Sequence, residues 1–248
     1  MKAGDSMLTE LFNKSRHTVV LTGAGMSTES GLPDFRSALD GMWNEVDPLQ
    51  LASRDAMQYE RNMFVRFYKQ RIKKLKEASP HPGYFHLAEW ERNGKVASIL
   101  TQNVDGFHQL AGSQNVAEMH GSLREMYCDD CGEKSSSDGY LDDVLACKCG
   151  GFNRPGVVLF GEPLPLNAIH QAKVEAKKAD LFIVLGSSLQ VAPANVFPME
   201  AKRNGAKLVI VNEEETDYDK IADLVIHDKI GKVLADLAED KARLDKRK

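Results

Sequence analysis

The chain has 248 residues, 42% of them hydrophobic and 27% charged, with a formal net charge of −4. That length and balance suit one large soluble domain, or one domain with a small insert, able to bury a sizeable core. The charge carries no global signature of nucleic-acid binding, no apolar run approaches the ~20 residues of a membrane span, and the N-terminal stretch lacks the apolar segment of a secretion signal, so the cytoplasm is the expected compartment.

Met7, Leu8, Leu11 and Phe12 recur at helical spacing over residues 5–15 and predict a first helix. Thr18, Val19, Val20 and Leu21 form an apolar, β-branched run that predicts a buried parallel strand over 17–23. The run stops at Gly23-Ala24-Gly25, where small residues let a backbone approach a ligand and leave N–H groups for a phosphate. Thr28 stands where the dinucleotide fingerprint Gly-x-Gly-x-x-Gly needs its third glycine, so these residues suit an ordinary tight strand exit equally well. Gly31-Leu32-Pro33-Asp34-Phe35-Arg36 is too rich in Gly and Pro for a simple helix and reads as an ordered loop.

Over residues 53–76, Met57, Phe64, Val65, Phe67, Tyr68, Ile72 and Leu75 predict a single amphipathic helix whose basic outer face is most simply a solubilising surface. Ser79–Gly83 breaks the chain before a helix at 84–93. Val96, Ala97, Ile99 and Leu100 predict a strand emptying into Thr101–Gly106. Further strands are expected at 157–160, 181–185, 207–211 and 223–226, with helices at 166–179 and 194–204 and an amphipathic C-terminal helix from Ile230. Strands alternating with helices imply an α/β fold with a largely parallel sheet covered on both faces. Ligands of such sheets bind at the carboxyl ends of strands, where Gly23, Gln102, Gly186 and Asn212 all fall.

The four cysteines are Cys128, Cys131, Cys147 and Cys149. Two close pairs of thiolates match a closed, tetrahedral structural zinc site. The second pair, Cys-x-Cys, is one residue shorter than the usual Cys-x-x-Cys and demands tighter geometry. The intervening segment is polar and turn-rich, so loss of zinc is expected to unfold residues 125–153 and to lower activity indirectly.

GAGMSTESGLPDFR at 23–36 resembles the signature loop of the sirtuins, the NAD-dependent protein-lysine deacylases. The other motifs of that family recur in order: TQNVD at 101–105, MHGS at 119–122, the cysteine pairs, RPGVVLFGE at 154–162, GSSLQV at 186–191 and VN at 211–212. The resemblance implies a Rossmann-like part over about 1–38, 80–124 and 154–248, a helical insert at about 39–79 and a zinc module at about 125–153, all within one catalytic domain, 1–248. It selects His120 among the seven histidines as general base, a role that imidazole chemistry suits. Asn103 and Asp105 would hold the nicotinamide carboxamide and Gln102 the ribose, with Val104 beside them. Gly23, Ala24, Gly25 and Arg36 would serve the phosphates, Asp34 and Phe35 the loop that shields the reactive carbon, Gly186, Ser187 and Ser188 the phosphate or ribose, and Asn212 and Glu213 the adenosine end. Val158, Phe160, Gly161, Glu162 and Val191 would line the acyl-lysine tunnel and its peptide edge.

Tyr68 and Arg71, three apart on one helix face, look like the Tyr-x-x-Arg of desuccinylase and demalonylase sirtuins and could hold an acyl carboxylate. The implied activity is NAD-dependent deacylation of lysine, chiefly deacetylation, yielding nicotinamide and O-acyl-ADP-ribose, with NAD as co-substrate and one structural zinc. The expected partners are acyl-lysine proteins bound as extended peptides, with no membrane, no specific nucleic acid and a monomeric chain. Protein ADP-ribosylation on the same site, and a non-catalytic NAD-binding zinc scaffold, are the competing readings. A mere binder would not need the general base His120.

Overall fold

The computed structural model describes residues 3–33 and 48–245. Its elements begin with α1 (Ala3–Lys14), β1 (Thr18–Thr22), α2 (Gly25–Thr28), α3 (Pro48–Leu51), α4 (Arg54–Tyr59), α5 (Arg61–Glu77), α6 (Pro82–Arg92), β2 (Val96–Thr101), α7 (Phe107–Leu110) and β3 (Val116–Glu118). They continue with β4 (Gly121–Cys128), β5 (Lys134–Ser136), α8 (Asp138–Leu141), β6 (Asn153–Val157), α9 (Leu166–Lys178), β7 (Leu181–Leu185), α10 (Val196–Arg203), β8 (Lys207–Val211), β9 (Leu224–Ile226) and α11 (Ile230–Asp245).

Six strands form a sheet in the order β3-β2-β1-β7-β8-β9, with every neighbouring pair parallel. The period-2 alternation of a strand sends successive side chains to opposite layers. Val20, Ile99, Ile183 and Val209 meet Leu8, Phe12, Trp90, Leu234 and Leu237 of α1, α6 and α11. Val19, Leu21, Leu100, Phe182, Val184 and Ile210 meet Ala172, Ala176, Phe197 and Ala201 of α9 and α10. Each fully buried Val, Leu, Ile or Phe side chain among these contributes about 1.5–3 kcal/mol. From β1 the chain winds outward through β2 and β3, then returns to the other side of β1 with β7. That reversal is where an open α/β sheet leaves a crevice beyond its strand ends.

Two expectations need correction. The helix expected at 53–76 is two helices, because Glu60 takes φ −122° and ψ 40° and leaves helical geometry between α4 and α5. Ser53 caps α4, its hydroxyl accepting the Ala56 N–H. The strand expected at 157–160 is β6, four residues earlier at its start, and it belongs to a separate antiparallel sheet, β5-β4-β6. The apolar run Val157–Phe160 is explained otherwise: beyond Val157 the chain turns onto the insert, where the Phe160 N–H donates to the Ala52 carbonyl (2.8 Å) and the Arg54 N–H to the Phe160 carbonyl (3.3 Å). Strand β3 has only three residues, too few for a pattern of its own.

Candidate active site

The exits of β1 and β7 are packed backbone to backbone. A Cβ on Gly23 would lie 2.6 Å from the Gly186 carbonyl oxygen, and one on Gly25 would lie 2.8 Å from the Gly186 Cα. Gly186 itself takes φ +63°. The glycines are therefore required first by this close approach. Gly25 N–H donates to the Gly186 carbonyl (2.9 Å) and Gly23 N–H to the Leu185 carbonyl (3.0 Å). Among the described residues, the amides of Ala24, Ser187 and Ser188 have no hydrogen-bond partner, which leaves three donors around the turn for an anion. Gln102 Nε2 donates to Ser187 Oγ (2.8 Å), tying the exit of β2 to that of β7.

Asn103 follows directly. Its Nδ2 donates to the Gly23 carbonyl (2.9 Å) and to Ser27 Oγ (3.0 Å), so both amide hydrogens point inward and Oδ1 remains as an acceptor. Ser27 Oγ donates to Asp105 Oδ2 (2.6 Å) and sits 2.8 Å from the Tyr84 hydroxyl. The other Asp105 oxygen accepts the Phe107 N–H at 2.9 Å. Burial pushes the Asp105 carboxyl up, against the lowering pull of Ser27, the Phe107 amide and Arg124.

His120 lies between β3 and β4, with Nδ1 2.9 Å from the Gln102 carbonyl oxygen. A carbonyl only accepts, so Nδ1 carries the proton and the neutral ring presents Nε2 as a base. Burial holds the imidazole below its ordinary range, partly offset by that hydrogen bond. The buried His108 packs against the Tyr84 ring, centroids 4.7 Å apart, and sets Nε2 3.0 Å from Thr22 Oγ1, while its Nδ1 has no partner among the described residues; burial lowers its pKa to about 3. His108 is thus neutral in the folded chain.

Asn212 and Glu213 follow β8, whose last carbonyl, on Val211, accepts the Gly186 N–H at 2.9 Å. Asn212 Nδ2 donates to the Glu214 carbonyl at 2.7 Å, and the Asn212 N–H to the Ile226 carbonyl at 3.2 Å. Asp34, Phe35 and Arg36 lie outside the described residues. Of Val158, Phe160, Gly161, Glu162 and Val191, Val158 is tied to His120, whose carbonyl accepts its N–H at 2.9 Å, and Phe160 and Val191 are exposed at 46% and 36%. Tyr68 is sunk in an aromatic cluster with Phe64 and Phe67, ring centroids 4.7 and 5.0 Å away. Burial pushes its phenol up to about 12, with Arg71 lowering it.

The four cysteine sulfurs lie within 4.8 Å of one another. Cys128 Sγ is 3.5 Å from Cys149 Sγ and Cys131 Sγ 3.7 Å from Cys147 Sγ. Zinc–sulfur bonds of about 2.3 Å in a tetrahedron place sulfurs about 3.8 Å apart, so the donor set fits zinc, and the shorter Cys-x-Cys reaches it.

A family model described as the Sir2 family matches residues 23–193. The chain belongs to the Sir2 family. It is 59% identical over 239 residues to an NAD-dependent protein deacetylase 1 of Geobacillus kaustophilus, covering 96% of this chain and 99% of that one. A solved Sir2 homolog–NAD complex superposes with a TM-score of 0.91 at 37% identity, covering 96% and 94% of the two chains. A Sir2 complex with the inhibitor EX-527, 2′-O-acetyl-ADP-ribose and a deacetylated p53 peptide gives 0.86 at 37% identity, covering 96% and 99%.

Reading the sequence alone missed four members of this Sir2-family site: Ser27, Tyr84, Thr22 and His108. Ser27 was in view within the signature loop, but nothing in spacing shows that it bridges Asn103, Asp105 and Tyr84. Tyr84 comes from α6, and only the folded chain brings it there.

Proposed function

We propose that the chain removes acyl groups, chiefly acetyl, from lysine side chains of proteins, with NAD as co-substrate and nicotinamide and O-acyl-ADP-ribose as products. The observation that carries this reading is His120, a neutral imidazole with Nε2 unprotonated at the rim of the crevice formed by Gln102, Asn103 and Asp105. When bound, NAD supplies an electrophilic ribose carbon once nicotinamide departs.

Asn103 Oδ1 accepts from the carboxamide N–H of the nicotinamide and Asp105 assists it. The amides of Ala24, Ser187 and Ser188 serve the phosphates, Gly186 lets the loops meet, and Gln102 orients the ribose. Asn212 and Glu213 take the adenosine end. His120 Nε2 would take a proton from a ribose hydroxyl, making it nucleophilic toward the acyl carbon, whose bond to the lysine nitrogen would then break so that lysine leaves as the free amine. By their match to the family's signature loop, Asp34 and Phe35 would shield the reactive carbon and Arg36 would serve the phosphates, and Val104 backs the nicotinamide. Val158, Phe160, Gly161 and Val191 line the acyl-lysine channel and its edge. Val158 C=O and both main-chain groups of Gly161 carry no hydrogen bond among the described residues, which suits a peptide added as an extended strand. Cys128, Cys131, Cys147 and Cys149 hold zinc as a structural clip.

One catalytic domain, 1–248, with a Rossmann-like part (about 1–38, 80–124 and 154–248), a helical insert at about 39–79 and a zinc module at about 125–153, is the organisation we propose. It acts as a monomer in the cytoplasm, where four clustered thiols stay reduced. No helix among the described residues is long and apolar enough to cross a membrane.

The deciding experiment incubates the purified chain with NAD and matched acetyl-, succinyl- and unmodified-lysine peptides, following peptide mass and nicotinamide. NAD-dependent loss of acetyl, abolished in His120→Ala with NAD binding retained, is the expected result. Faster loss of succinyl would assign Tyr68 and Arg71 to the acyl carboxylate. Nicotinamide release without deacylation would move the reading to ADP-ribosyl transfer, and no turnover by the folded, zinc-loaded protein would overturn it.

A further inference from the structure

Glu162 has the composition of a peptide-contacting acid, yet its carboxylate faces inward. Oε2 accepts the Leu159 N–H (2.8 Å) and Arg154 Nη2 (2.9 Å). Oε1 accepts Arg154 Nη1 (2.5 Å) and Arg54 Nη1 (3.2 Å). Arg154 is fully buried, so its guanidinium has no water to fall back on. Its remaining bonds go to the Val157 carbonyl (2.9 Å) and to Asp129 (3.4 Å), and it lies over the Tyr127 ring at 5.0 Å. The pair holds Glu162 below the ordinary carboxylate range despite burial. A buried charge of this kind is strongly destabilising when its partner is removed.

These bonds close a turn. Glu162 N–H returns to the Leu159 carbonyl (3.0 Å), and Phe160 is bonded on both sides to the chain entering α4. With Leu159, Phe160 and the Val158 N–H committed, the main-chain groups left over among the described residues are the Val158 carbonyl and both groups of Gly161, the latter at φ +92°. We propose that Glu162, held by Arg154 and Arg54, is a positioning residue for substrate: it meets no peptide atom, and it fixes the turn so that the Val158 carbonyl and the main-chain groups of Gly161 face the incoming peptide. This rests on the reading of 158–161 as the peptide edge.

The test measures KM for an acetyl-lysine peptide, KM for NAD and kcat, together with anisotropy binding of the labelled peptide. Because Glu162→Gln removes the counter-charge of a buried guanidinium, the exposed partner is varied as well, in Arg54→Ala and Arg54→Lys. Glu162→Gln is expected to raise peptide KM and Kd about tenfold and Arg54→Ala about threefold, in line with loss of charge-assisted bonds. KM for NAD and kcat at saturating peptide should stay within about twofold, and Arg54→Lys should restore most of the loss. A peptide N-methylated at the amide after the acetyl-lysine tests the edge itself. If N-methylation leaves binding to the unaltered enzyme intact, the edge reading fails. If it weakens binding while Arg54→Ala and Glu162→Gln bind peptide normally, or lose kcat or NAD affinity in step with peptide affinity, the positioning role is overturned.

Discussion

A serine hydroxyl has one proton to give, and at Ser27 it goes to Asp105, while the lone pairs receive Asn103 and Tyr84. That assignment aims the Asn103 carboxamide outward as an acceptor. Ser27→Ala would leave two buried donors and one carboxylate oxygen without their partner, at a cost of about 1–3 kcal/mol; urea unfolding checks this. The histidines set the pH behaviour. His120 must be neutral to act, and burial keeps it so below its ordinary 6.5. The acid limb of kcat is therefore expected below pH 6.5, and a limb centred above that value would contradict the role. His108 titrates near 3 when folded and near 6.5 when unfolded. Below pH 6.5 the unfolded chain takes up a proton that the folded chain refuses, so stability falls as pH drops from 6.5 toward 3. In His108→Gln that decline should be shallower, as thermal melts across the range would show.

At the scale of elements, packing governs the strand exits. Gly23→Ala would push a methyl group within 2.6 Å of the Gly186 carbonyl oxygen, and overpacking of this kind costs about 1–3 kcal/mol; the melting temperature should drop, with weaker NAD binding by calorimetry. The strands at 181–185 and 207–211 were legible because a continuous apolar run bounded by polar residues has few other uses. The break at Glu60 was not, because the apolar spacing of α4 and α5 continues across it and only the backbone angles show the interruption. The strand after the cysteines was misplaced for the opposite reason: Leu159 is buried although it lies beyond β6, so hydrophobicity ran past the end of the strand.

Across the whole molecule, residues legible as separate motifs converge because each follows a strand of one parallel sheet; direction alone brings Gly23, Gln102 and Gly186 to one edge. What remained illegible joins distant parts of the chain, such as Tyr84 to Ser27 or Arg154 to Arg54 through Glu162. The zinc module also grips the insert through side chains, Lys69 to Asp143 at 2.5 Å and Lys76 to Asp138. Chelation of zinc should therefore loosen amides across 129–152 in hydrogen exchange while the six-stranded sheet keeps its protection; uniform loss of protection would show that the sheet depends on the metal.

Strand β4 starts next to His120 and ends on Cys128. Its pairing with β6 is interrupted: Ser122 faces Gly156, then Met126 faces Pro155, so three residues of one strand have no counterpart on the other. Gly156 fits there because a side chain would press on the Ser122 and Glu125 carbonyl oxygens, 3.0 and 3.1 Å away. The three residues are tied elsewhere: the Leu123 N–H donates to the Val104 carbonyl (2.7 Å), Arg124 Nε to the Asp105 carbonyl (2.6 Å), and Glu125 pairs with Ser136 of β5. A disturbance at the thiolate end therefore has a route along β4 to Val104 and Asp105, whereas His120 is moored apart from it, its ring on the Gln102 carbonyl and its own carbonyl on the Val158 N–H.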